Sequence, residues 1–91
     1  MERLRAVRLT ALDAAYIRFL DRLIQRKVMA EDVAVTLLGA EFSHRPDWEG
    51  LLPLSRGFLR TVASQLRRGC RRLTIWRDPL GKQYVSADPP I

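Results

Sequence analysis

The chain has 91 residues, 47% of them hydrophobic, enough for one domain around one core and too few for two. No apolar run approaches the roughly 18 residues that a membrane span needs, and Met1–Glu2–Arg3–Leu4–Arg5 leads into no apolar stretch of signal-peptide type, so no membrane association is expected. A net charge of +6 favours an anionic partner.

The expected organisation is a single domain over 1–91, with 1–9 as an N-terminal arm and 88–91 as a tail. Thr10 suits a helix N-cap, with Asp13 three residues on as the returning carboxylate of a capping box. The helix that follows is expected to end near Lys27. Leu12, Tyr16, Phe19, Leu20 and Leu23 fall on one helical face, and Ile17, Ile24 and Val28 widen it. Such an arc belongs either to a central core helix or to one buried on two sides by a homodimer contact. Asp13 and Asp21 share this helix with Arg18 and Arg22, and ion pairing within it is the expected use of those acids.

A second, short helix is predicted from Glu31 and Asp32 through Val33, Val35, Leu37 and Leu38, with Gly39 as its stop. Residues 40–53 read as a loop. Within it, Trp48, Leu51 and Leu52 either tack the loop onto the core or form an exposed patch for a partner protein. The lone His44 is expected at the surface.

A third helix is predicted from Leu54 or Ser55 to Arg68, between Pro53 and Gly69. At about 100° per residue, Phe58, Leu59, Val62, Ala63 and Leu66 share one arc. Arg56, Arg60, Thr61, Ser64, Arg67 and Arg68 share the other. Beyond Gly69 the period drops to two. Leu73–Arg77 and Tyr84–Ser86 are expected as strands of a hairpin that turns at Asp78–Pro79–Leu80–Gly81, with Leu73, Ile75 and Val85 packing inward. The single cysteine, Cys70, has no partner for an internal disulfide. This points to the reducing cytoplasm, with Cys70 as a small buried residue.

Charge is not spread evenly. Residues 1–53 carry eight basic and eight acidic side chains, whereas 54–82 carry Arg56, Arg60, Arg67, Arg68, Arg71, Arg72, Arg77 and Lys82 against Asp78 alone. Most of these cations are Arg, which grips phosphate through two parallel hydrogen bonds.

The stretch SRGFLRTVASQLRRGCRRLTIWRDPLGKQYVSA, residues 55–87, resembles the winged helix-turn-helix domain of bacterial and phage transcription regulators. Ser55–Arg56 opens the matching helix, Gly69 ends it, and Asp78–Gly81 turns the wing. The resemblance implies a mainly α fold of three helices with a C-terminal β-hairpin, and duplex DNA as partner in transcription or replication control. A helix of this kind enters the major groove with its first turns nearest the bases. That assigns Ser55, Arg56, Arg60, Thr61 and Ser64 to base edges, and Arg67, Arg68, Arg71 and Arg72 to phosphates. Arg77 and Lys82 at the wing tip would meet the backbone or minor groove.

With one His, no glycine-rich phosphate loop and no ligand set at metal spacing, neither an enzyme nor a cofactor is expected. The competing reading is a protein-binding module, such as a phage- or plasmid-type inhibitor of a host protein, using Trp48, Leu51, Leu52 and Trp76. RNA binding is a weaker third reading, because few aromatic side chains remain for stacking.

Overall fold

A computed structural model describes residues 5–70, 72–80 and 82–87. The elements in chain order are β1 (Arg5–Arg8), α1 (Ala11–Gln25), α2 (Glu31–Phe42), a 3-10 helix (Pro46–Leu51), α3 (Phe58–Arg67), β2 (Leu73–Arg77) and β3 (Gln83–Ala87). The fold is mainly α, with a C-terminal antiparallel hairpin in a winged-helix-like layout.

The expected hairpin forms. Ile75 faces Val85 and Trp76 faces Tyr84 across β2 and β3. Asp78 N–H closes the turn on Lys82 O at 3.0 Å. Leu73 and Ile75 are buried, and Val85 packs against them.

The N-terminal arm requires correction. Residues 5–8 form a strand antiparallel to β2, giving a sheet ordered β1-β2-β3 with Val7 opposite Ile75. Leu9 N–H continues the ladder to Leu73 O at 2.8 Å. Pairing satisfies the β2 edge that a two-stranded hairpin leaves open, and it sinks Val7 and Leu9 into the core. Four residues with one inward Val carry too little periodicity to announce a strand.

In α1 the capping box is present in both directions, with Thr10 Oγ1 accepting from Asp13 N–H and Asp13 accepting from Thr10 N–H. The helix ends at Gln25, and Lys27 takes a left-handed φ of 59°. The buried side differs from the expected one. Ile17 and Leu20 enter the core, with Ala14 and Ile24 beside them, while Leu12 and Phe19 face solvent at 82% and 52% exposure.

The second helix does not stop at Gly39 but continues to Phe42. Nothing lies within 4 Å of the position a Gly39 Cβ would take, so the glycine is an ordinary helical residue. The extra turn delivers Phe42 to the core, where its ring stacks on Trp48 with centroids 3.7 Å apart. Phe58 meets Trp48 edge-on at 6.2 Å. Trp48 and Leu51 have no exposed surface. They are the anchors of the 3-10 helix, and the alternative of an exposed patch at these two residues falls. Leu52 is half-buried against the same core.

The third helix starts at Phe58, three residues later than Ser55. Ser55 N–H is held by Gln83 Oε1 at 2.7 Å, so Ser55–Gly57 turns into the helix from the sheet side. The connection from α2 is far longer than the three or four residues of a helix-turn-helix. It is locked from the hairpin. Arg77 donates to Leu52 O and Pro53 O at 2.6 and 3.2 Å, and its strand neighbour Gln83 donates to Leu51 O and Pro53 O at 2.7 and 3.2 Å.

Candidate nucleic-acid interface

The third helix divides as its periodicity dictates. Phe58, Leu59, Val62 and Ala63 are buried, and Leu66 packs at the core margin. Arg60, Thr61, Arg67 and Arg68 are exposed, and Ser64 is half-buried. The solvent side is therefore rich in guanidinium, but two of these cations, and Arg56 just ahead of them, reach back to acids on the other helices. Arg60 Nη2 lies 2.5 Å from Glu31 Oε2, and Arg67 Nη1 lies 2.5 Å from Asp21 Oδ2. Arg56, ahead of the helix and 87% exposed, sits 3.4 Å from Asp32 Oδ1. These contacts tie α3 to the first turn of α2 and to the middle of α1. They also make the Arg56–Arg60 end of the expected reading surface locally neutral.

The acids of α1 are committed differently from the pairing expected within the helix. Asp13 takes Arg45, which also reaches Asp47 at 3.4 Å. The hydrogen bond that Arg45 donates to Asp13 raises the Arg45 pKa above the ordinary value. Asp21 takes Arg67. Arg18 and Arg22 are left without an ion pair among the described residues, and with Asp21, Gln25 and Arg67 they line an open cleft of about 400 Å³ between α1 and α3. Three guanidinium groups there face a single carboxylate. Arg18 and Arg22 were absent from the expected site. Their i, i+4 spacing was a visible signal, obscured because Asp21 stood between them in sequence as an apparent partner.

Arg68 and Arg72 are exposed and make no ion pair among the described residues. Arg71 lies outside the described residues. Arg77, assigned to the wing tip, instead points back to the connection before α3. Lys82 stays at the tip, with its ammonium 5.3 Å from the Tyr84 ring centroid. Trp76 and Tyr84 are register partners and share the outer face of the sheet, Trp76 half-buried and Tyr84 exposed. The basic surface thus centres on the α1–α3 cleft and the end of α3, with Lys82 on the wing, rather than on the first turn of α3.

Among the described residues no helix is long and apolar enough to cross a membrane. Comparison with family models, curated proteins and solved structures returned no match.

Proposed function

We propose that this chain binds duplex DNA through its α1–α3 side and wing, as a small regulator of transcription or replication. The carrying observation is the cluster of Arg18, Arg22 and Arg67 around Asp21 alone, continued by the exposed Arg68 and Arg72. A phosphate backbone presents repeated negative charge to such a surface and releases counterions on binding. The ion pairs of Arg56, Arg60 and Arg67 do not oppose this reading. The Arg56–Asp32 pair is exposed on both sides and contributes little net stability, so a phosphate can replace that carboxylate, while Arg60 and Arg67 keep enough exposed guanidinium to meet a phosphate beside their more sheltered acids. Glu31, Asp32 and Asp21 then act as built-in competitors that weaken indiscriminate binding.

The reading makes two measurable demands in fluorescence anisotropy with mixed-sequence duplex. Arg18→Ala with Arg22→Ala should lower affinity and reduce the salt slope by about one unit per cation removed. Glu31→Gln, which frees Arg60, should raise affinity. Binding that is absent, or that responds neither to salt nor to these substitutions, overturns it. The protein-binding alternative loses Trp48 and Leu51, which are core residues.

A further inference from the structure

We propose that the outward face of α1 is the interface between two copies of this chain, packed antiparallel about a two-fold axis. This does not rest on DNA binding.

Leu12, Tyr16, Phe19 and Leu23 recur at spacings of four, three and four, the seam of a two-helix coiled contact. Core packing uses this seam only at Tyr16, which packs at the core margin. Leu12 and Phe19 are exposed, and Tyr16 and Leu23 are only half-buried. On α2, Val33, Leu37 and Glu41 form one i, i+4, i+8 row. Glu41 lines a hollow with Leu12 and Tyr16, so the C-terminal end of this row stands beside the start of α1, while Val33 and Leu37 border a separate hollow with Asp32 and Thr36. Val33 and Leu37 are 50% and 41% exposed. Leu12 and Phe19 on α1 and Val33 and Leu37 on α2 are four of the large exposed apolar side chains, an unusual concentration for two helices that stay in water.

A second copy is the occupant this face fits. The seam is symmetric about its centre, between Tyr16 and Phe19. Antiparallel packing sets Leu12 against Leu23 of the other copy, and Tyr16 against its Phe19, in both directions at once. That self-complementarity is what an isologous interface requires. The flanking charge has the matching polarity. Glu41 stands at the Leu12 end. Arg26 and Lys27 stand beyond the Leu23 end. All three are exposed and make no ion pair among the described residues. Antiparallel pairing brings Glu41 of each copy to Arg26 and Lys27 of the other, whereas parallel pairing sets like charge beside like.

Sedimentation equilibrium of the full chain tests this directly. The parent should show twice the 10.5 kDa chain mass and dissociate on dilution. Leu12→Glu and Phe19→Glu, each at a solvent-facing position, should give the single-chain mass with an unchanged circular dichroism spectrum. Glu41→Lys should weaken the dimer, and adding Arg26→Glu with Lys27→Glu to that chain should restore it. A parent of single-chain mass at every concentration overturns the proposal and leaves the face to a different protein. A dimer that survives both Leu12→Glu and Phe19→Glu overturns it equally, and one indifferent to Glu41→Lys overturns the antiparallel register.

Discussion

Asp13 shows how one short side chain serves two scales of structure. It returns the capping hydrogen bond to Thr10 N–H at 3.2 Å and also holds Arg45, 32 positions away. Asp13→Ala removes half of the capping box and leaves a partly buried guanidinium with only the longer contact to Asp47. The expected loss is about 1–2 kcal/mol, read as a lower denaturation midpoint. Asp13→Asn, which keeps an acceptor, should lose less. Asp78 organises the hairpin tip in a comparable way. Its Oδ1 accepts from Lys82 N–H at 2.9 Å and Leu80 N–H at 3.0 Å, and its Oδ2 accepts from Tyr84 Oη at 3.2 Å. These bonds, the Lys82 one foremost, favour the ionised carboxyl and lower its pKa. A carboxyl depressed in the folded state adds stability above its unfolded pKa and loses it as pH falls through the folded one. The tip should therefore loosen on the acid side of the ordinary Asp range. The protection of the Leu80 and Lys82 amides against exchange, taken relative to the intrinsic rate at each pH of an acid titration, should fall there, and in Asp78→Asn it should show no such acid-dependent step.

At the scale of elements, the connection before α3 is held from both the helices and the hairpin. Trp48 packs between Phe42 of α2 and Phe58 of α3, while Arg77 and Gln83 bind the carbonyls of the residues that follow. Trp48→Ala should cost about 3–5 kcal/mol in equilibrium unfolding, the range for emptying a large buried aromatic site. Trp48→Phe should retain most of the stacking and lose less. Both variants should also loosen the start of α3, since Phe58 loses its edge contact. A surface role for Trp48 would predict a stability change near zero for either substitution.

At the scale of the whole molecule, legibility followed the range of the forces involved. The Thr10–Asp13 cap, the two arcs of α3 and the Asp78 turn were readable because each depends on residues within a few positions of one another. The location of the C-terminal basic segment was readable for the same reason, as a local sum of charge. The extension of α2 to Phe42 was not, because a glycine that usually stops a helix is overridden by the burial of Phe42 against Trp48. Strand β1 was not, because its stability lies in the ladder to β2, some seventy positions along the chain. The candidate site was legible in Arg67, Arg68, Arg72 and Lys82 but not in Arg18 and Arg22, nor in which of the arginines remain unpaired. Sequence spacing matched Asp21 to Arg18 and Arg22 within one helix. Packing of α1 on α3 placed Arg67 nearer, and a carboxylate with 14% of its side chain exposed takes the guanidinium that the fold brings to it. By itself the sequence determined the helical and strand periodicities, the caps and the segregation of charge, all properties of neighbours along the chain. Only the tertiary structure decided which face of α1 enters the core, which arginines are neutralised and where the cleft lies. Those outcomes depend on surfaces that meet only when distant segments bury their apolar sides together.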